Sequence, residues 1–137
     1  MYGPDQYAYD FVTSLNPLVT MPIGTRVVAA RAGEVTFVEE RFADGTRTSG
    51  QGNGIFVRHA DGTIAMYWHL TTNGVLVEIG EHVEQGQVIA LSGDSGDSTA
   101  AHLHFAVFQG SINLPITFRN TRPHPHGLIV GESYRAE

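Results

Sequence analysis

The sequence has 137 residues, of which 42% are hydrophobic and 16% charged, a balance typical of a folded chain with one core rather than a disordered chain. The formal net charge is −6 and all eight basic residues are scattered arginines, which excludes a basic stripe for nucleic acid and a polybasic membrane patch. The absence of cysteine excludes disulfides, thiolate zinc sites and a cysteine nucleophile.

No run approaches the roughly 20 apolar residues that cross a bilayer, so the sequence predicts a chain that is not transmembrane. The N-terminus also lacks the basic and then apolar segments of a signal peptide. If the protein acts outside the cell, we therefore expect that its export signal was removed or lies outside this sequence.

Several segments have the alternating, β-branched pattern of strands. In chain order they are 25–40, 54–70, 74–93 and 102–112. Within the first, Gly33 is predicted to form a turn or bulge. The second is the clearest hairpin, with Asp61 and Gly62 predicted as a two-residue turn.

Two stretches rich in Gly, Asp, Ser and Thr, residues 42–54 and 92–100, are predicted to be exposed loops. No segment of ten or more residues keeps a helical period. The sequence therefore predicts an all-β fold, a small antiparallel sheet or sandwich, as a single domain over 1–137. Its motif-bearing core covers about 7–112. A C-terminal extension follows at 113–137, and the chain from Ile116 onward is expected to pack irregularly.

Two half-motifs, IGTRVVAARAGEV and IGEHVEQGQVIALSG, are typical of the barrel-sandwich hybrids that carry lipoyl or biotinyl groups. Those carriers attach their cofactor to a lysine. Because this chain contains no lysine, a carrier function is excluded.

The stretch TAAHLHFAVF (99–108) places His102 and His104 on one face of a strand, because residues two apart in a strand point the same way. Each could be an ordinary, satisfied side chain. Burying two imidazoles together, however, requires hydrogen-bond partners for both. A metal ion or a catalytic role would supply that compensation, so the pair is a candidate site.

Two further residues could contribute chemistry. His69 ends a strand in MYWHL, beside a loop of the kind that often carries function, although a structural role is open. Asp10 lies in the apolar run QYAYDFV, where a carboxylate must be capped, paired or bound to metal. The alternative for Asp10 is a strand-edge residue that accepts backbone N–H bonds.

Taken together, these blocks resemble the lysostaphin-like (LytM-type) zinc metallo-endopeptidases, which hydrolyse peptidoglycan. The resemblance runs from about Tyr7 to Phe108 and keeps the order YAYDFV, PIGTRVVAARAGEV, GNGIFVRHADGTIAMYWHL and IGEHVEQGQVIALSGDSGDSTAAHLHFAVF. The combination of Asp-Phe, aromatic-His-Leu and His-Leu-His-Phe is specific, whereas none of the three is specific alone. The resemblance implies a small antiparallel β-sheet with a groove.

The resemblance also implies a set of functional residues. In the family, Zn²⁺ is held by a histidine upstream of the aspartate, by the aspartate itself and by the second histidine of His-x-His. Asp10 and His104 match the last two. The histidines that match the family's catalytic positions are His69 and His102, whose individual tasks stay open. Nitrogen and carboxylate ligands with one open position suit a zinc ion that activates water for attack on a carbonyl.

No histidine precedes Asp10, whose upstream segment is MYGPDQYAY. One interpretation is that the natural chain begins before Met1, which also fits the missing export signal. A second is a substituted ligand, supplied by Asp5, by the Met1 α-amine, or by His124 and His126 of the tail. A third is a degenerate domain that binds without cutting and activates other cell-wall hydrolases.

The sequence and the resemblance together predict a zinc-dependent endopeptidase that cleaves peptide cross-links of bacterial peptidoglycan. Its partners would be peptidoglycan stems and cross-links, with a cell-wall amidase as partner only if the domain is degenerate. It is expected to act extracellularly, in the periplasm or at the cell envelope. His59 and His82 are predicted to be structural, and Arg31 and Arg58 to form a solvated surface.

Overall fold

The computed structural model describes residues 7–14, 16 and 18–118, and within these residues the chain forms ten β-strands and no helix. The strands, in chain order, are β1 (Tyr9–Phe11), β2 (Arg26–Val28), β3 (Gly33–Glu39), β4 (Gly54–Arg58), β5 (Ile64–Trp68), β6 (Leu70–Val75), β7 (His82–Val83), β8 (Val88–Ser92), β9 (Leu103–Gln109) and β10 (Ile112–Leu114). In the same part of the chain, no helix has the length and apolar character needed to cross a membrane. The predicted all-β fold is confirmed.

The strands form two antiparallel sheets. The larger sheet has seven strands in the order β1-β9-β5-β4-β3-β7, with β10 pairing with β9, and the smaller has the order β2-β8-β6. The strand order of the large sheet is not the chain order, so β9 lies between β1 and β5 and brings three distant segments together.

The two sheets share one core. Alternate residues of β4 and β5 point inward, because side chains alternate between the two faces of a strand. Side chains fully removed from solvent come from both sheets and include Val35, Ile55, Val57, Tyr67, Leu70 and Ile89. On the opposite face of the large sheet, Phe56, Met66 and Trp68 of the same strands are only partly buried.

The predicted hairpin formed by β4 and β5 is confirmed, but the prediction of a two-residue turn is wrong. Five residues, 59–63, connect the strands instead of two. The His59 N–H donates to Thr63 O (2.8 Å), and the Asp61 carboxylate accepts bonds from the N–H and the hydroxyl of Thr63. Gly62 has φ 85°, which suits glycine. The aspartate therefore closes a wider loop through its own side chain.

Gly33 forms neither a turn nor the bulge itself. It begins β3, and the register shift of this strand lies between Val35 and Phe37. Glycine is needed at position 33 because a Cβ there would overlap the carbonyl of Arg58 on the neighbouring strand.

Tyr67 gives the fold a pH dependence at its alkaline limit. Its side chain is 1% exposed and its hydroxyl accepts the Ala30 N–H at 2.8 Å. Burial raises the pKa of Tyr67 from 10.0 to about 12. The unfolded chain therefore loses the Tyr67 proton at lower pH than the folded chain. The contribution of Tyr67 to the free energy of unfolding is intact below pH 10 and falls as the pH rises toward 12.

Denaturant unfolding between pH 8 and 11.5 measures this effect as the difference in free energy of unfolding between the wild type and Tyr67→Phe, which has no phenol to ionise. The stability advantage of the wild type should shrink by about 2 kcal/mol across that range. A difference that stays constant with pH would contradict the assigned burial of the phenol.

Candidate functional site

The register of the large sheet brings the candidate residues together. Asp10 of β1 lies directly opposite His104 of β9, and His104 lies opposite Trp68 of β5 on its other side. Side chains of directly opposed residues lie on the same face of a sheet. His69 follows Trp68 and leaves the strand with φ 64°, and His102 stands just before β9.

Two of the histidines lie near one carboxylate oxygen, and the third lies beside their rings. Asp10 Oδ1 lies 3.0 Å from His104 Nδ1 and 3.5 Å from His102 Nε2. The rings of His69 and His102 are 4.7 Å apart, centroid to centroid. One possible ligand nitrogen from each of the three histidines lies within 4.8 Å of the others. The four residues named from the sequence therefore form one cluster.

Backbone carbonyls fix the protonation pattern of two of the imidazoles. His69 Nδ1 lies 2.7 Å from Ser95 O, and His102 Nδ1 lies 2.8 Å from Ala100 O. A carbonyl oxygen only accepts, so Nδ1 is the protonated nitrogen in both rings and a neutral ring keeps Nε2 as an acceptor. His104 differs, because its Nδ1 is the nitrogen that approaches Asp10. The roles of Ser95 and Ala100 are missed by sequence reasoning, since backbone acceptors leave no residue-type signal.

The charges of the cluster are coupled. The hydrogen bond from His104 holds the pKa of the Asp10 carboxyl below its usual value, against the effect of partial burial. Burial lowers the pKa of His69, which the neighbouring imidazoles reinforce and the bond to Ser95 O opposes. Both shifts favour an ionised carboxylate beside a neutral His69 at neutral pH.

The cluster lies in an open groove of about 500 Å³ whose lining includes Asp10, Met66, Trp68, His69, His102 and His104. Asp10 is exposed at 62% of its side chain, while the side chains of His102 and His104 are exposed at 18%. A ligand in the groove can therefore reach Asp10, His102 and His104 from solvent, while His69 lines the groove but is only 7% exposed.

Parts of the two loops beside the groove are packed against each other, so the prediction of exposed loops is wrong for residues 92–96, 98 and 52–54 and is confirmed for 97, 99, 100 and most of 42–51. Residues 92–96 and Ser98 are buried, as are 52–54. Asp44 Oδ1 accepts the Asp94 N–H (2.6 Å), and Thr46 Oγ1 accepts the Gly96 N–H (2.8 Å). Hydrogen bonds between two distant segments compensate the burial of their polar groups, which composition alone does not reveal.

This loop pairing holds the carbonyl that orients His69. Ser95 is fully buried, and its hydroxyl accepts the Asn53 N–H and donates to Leu70 O. The Asp44 carboxylate accepts the N–H of Asp94, which precedes Ser95, and it also accepts the Thr71 hydroxyl at 2.5 Å. The position of the His69 ring thus depends on contacts outside the cluster.

Asp44→Ala should lower the free energy of unfolding by about 1–3 kcal/mol, because it leaves the Asp94 N–H and the Thr71 hydroxyl without their acceptor. Denaturant unfolding measures the effect, and Glu78→Ala, an exposed acidic residue outside this network, is the matched control. Equal stability of the two variants would show that the loop pairing contributes nothing.

Other polar residues singled out from the sequence lie away from the cluster. His59 is buried with its Nδ1–H on Ala32 O, and His82 is exposed beside Glu84. Arg31 and Arg58 form exposed ion pairs with acidic residues, Asp61 and Glu34 respectively. The alternative ligands Met1, Asp5, His124 and His126 lie outside the described residues.

Comparison with known proteins identifies the family. Residues 18–115, more than half of the chain, match the sequence profile of peptidase family M23. The chain is 31% identical to the glycyl-glycine endopeptidase ALE-1 of Staphylococcus capitis over 132 residues, which cover 96% of this chain and 31% of that protein. The chain therefore spans less than a third of the length of this relative.

Solved structures share the fold. The catalytic domain of the antimicrobial peptidase lysostaphin from Staphylococcus simulans superposes with a TM-score of 0.55 at 37% identity, covering 68% of this chain and 65% of that one. A zinc-containing peptidase from Vibrio cholerae superposes with a TM-score of 0.55 at 32% identity, covering 68% and 26%. With the family match, these similarities establish that the chain belongs to peptidase family M23.

Proposed function

We propose that the chain is a zinc-dependent endopeptidase that hydrolyses peptide cross-links of bacterial peptidoglycan. The observation that carries the proposal is the meeting of one carboxylate and three imidazoles in an open groove of an M23 peptidase fold. The similarity to a glycyl-glycine endopeptidase and to lysostaphin supports the reaction class. Because peptidoglycan lies outside the cytoplasmic membrane, the same proposal assigns the protein to the cell envelope or the extracellular space.

The donor set fits a zinc ion. Imidazole nitrogen and carboxylate oxygen are zinc ligands at about 2.0–2.2 Å, and one ion can span donors that are 3.0 and 3.5 Å apart. We assign Asp10 and His104 as metal ligands, because the resemblance places them at the family's ligand positions and His104 Nδ1 lies 3.0 Å from Asp10 Oδ1, close enough for both atoms to bind one ion. The third protein ligand stays a prediction.

The remaining two histidines are suited to proton transfer. With Nδ1–H fixed on a backbone carbonyl, each presents Nε2 as the nitrogen that can take or give a proton. When bound, zinc would supply Lewis acidity that activates a water molecule and polarises the scissile carbonyl. We assign His69 and His102 as the pair that accepts the proton of the attacking water and delivers one to the departing amine.

Purified peptidoglycan, incubated with the protein and zinc, tests the proposal. Mass spectrometry of the released muropeptides should show new amino and carboxyl termini in the cross-links, and the products should vanish with a chelator and return with added zinc. The contrary result is binding to peptidoglycan without product at any zinc concentration, which would support the non-cutting, hydrolase-activating domain instead.

A further inference from the structure

The single tryptophan of the chain lies on the floor of the groove. Trp68 ends β5, directly opposite the proposed metal ligand His104, so that its side chain is on the same sheet face. The indole is half-buried and lines the groove together with Met66. A ligand bound at the histidines would therefore contact Trp68 as a neighbouring side chain of the groove.

Two glycines make room for this side chain. A Cβ at Gly52 would overlap the five-membered part of the indole, and a Cβ at Gly54 would overlap the six-membered part, so the ring spans both residues. Neither glycine has positive φ, so backbone conformation does not demand glycine at these positions. The contact with Trp68 is what excludes a larger residue there.

The indole begins a row of aromatic rings. Phe56 and Phe37 have ring centroids 6.0 and 6.3 Å from Trp68 and 4.8 Å from each other. These three rings, here called the aromatic row, carry no charge. Within the described part of the chain, no residue accepts a hydrogen bond from the Trp68 indole N–H. The groove thus offers an apolar surface with one donor beside the histidine cluster.

We propose that Trp68 is a substrate-binding residue that contacts an uncharged segment of the substrate peptide next to the cleaved bond. The indole supplies apolar area with little loss of conformational entropy, and its N–H donates to a peptide carbonyl of that segment. The aromatic row carries no charge and its first ring, Trp68, lines the groove, which selects an uncharged peptide segment as the occupant. This inference rests on the proposed function only in taking the groove as a peptide-binding site.

Because Trp68 is the only tryptophan, its fluorescence reports on this position alone. The protein, treated with chelator to prevent turnover, is titrated with soluble muropeptides released from peptidoglycan by a muramidase. We expect a saturable change in Trp68 emission and protection of the indole from acrylamide quenching. The inference would be overturned if equilibrium dialysis showed that muropeptides bind while neither the Trp68 emission nor its quenching by acrylamide changed.

Kinetics give the second readout. Trp68→Leu should raise KM about 10-fold while kcat changes less than about 3-fold, because one buried aromatic contact contributes on the order of a tenfold change in affinity. Trp68→Phe keeps an aromatic ring but removes the donor and the five-membered part of the indole, so its KM should lie between those of the wild type and Trp68→Leu. Leu76→Ser, which changes an exposed apolar residue just after β6, is the matched control.

The failure of each proposal has its own signature. Cleavage with an unchanged KM in Trp68→Leu would overturn the role of Trp68 and leave the endopeptidase intact. A saturable fluorescence change without any cleavage would overturn the endopeptidase and leave the binding role of Trp68 standing. Circular dichroism melting of each variant checks that the fold is retained.

Discussion

Asp10→Ala should lower the affinity for zinc and the rate of peptidoglycan cleavage by at least about 100-fold. Loss of a residue that merely orients a ligand already costs about 10–100-fold in metal affinity, and Asp10 is assigned as a ligand itself. Its Oδ1 lies 3.0 Å from His104 Nδ1 and 3.5 Å from His102 Nε2, so the substitution removes the carboxylate from the assigned ligand set and leaves only imidazoles.

The effect should be confined to metal binding and activity. Asp10 is largely exposed, and an exposed ion pair contributes little to stability, so thermal melting should be close to that of the wild type. Asp97→Ala is the matched control, because Asp97 is an exposed acidic residue that also lines the groove. Competition with a chromophoric chelator measures the zinc affinity of each variant. Equal zinc affinities of Asp10→Ala and Asp97→Ala would contradict the assignment of Asp10 as a metal ligand.

His69→Ala should reduce kcat by about 10²–10⁴-fold while leaving zinc binding intact, because a positioned general acid or base contributes that much. His102→Ala should behave in the same way. Substitution of His69 or His102 should therefore abolish turnover but retain zinc. Substitution of Asp10 or His104 should abolish both turnover and zinc binding.

Two variants make the test of His69 sharper. Position 69 has φ 64°, a conformation that asparagine tolerates better than most residues, so His69→Asn removes the imidazole with less backbone strain. His82→Ala removes an exposed histidine far from the cluster and should leave kcat unchanged. If His69→Asn lost zinc together with activity, His69 would be a metal ligand and the assignment of roles would have to be reversed.

The site could be predicted from the sequence where local pattern and register act together. Alternation in 102–108 correctly placed His102 and His104 near one another, and the antiparallel pairing of β1 with β9 then brings Asp10 to the same place. Each functional residue lies in a strand of the large sheet or directly beside one: Asp10 in β1, His104 in β9, His69 just after β5 and His102 just before β9.

Other features depend on contacts between distant segments and left no local signal. Residues 92–96 and 98 have the composition of an exposed turn, yet they are buried, and Asp44 and Thr46 supply hydrogen-bond acceptors for this segment. The glycines at 52 and 54 are read as turn residues from sequence, whereas their cause is the indole of Trp68. In both cases the physical reason lies in a partner that sequence periodicity does not identify.

Zinc content per chain tests the central claim most directly. The protein is purified without chelator or histidine tag, dialysed against metal-free buffer, and measured by elemental analysis before and after addition of zinc. We expect a ratio near one zinc per chain, reduced toward zero in Asp10→Ala and unchanged in His69→Ala. A ratio near zero in the wild type, not restored by added zinc, would contradict the assignment of a zinc peptidase site in this chain.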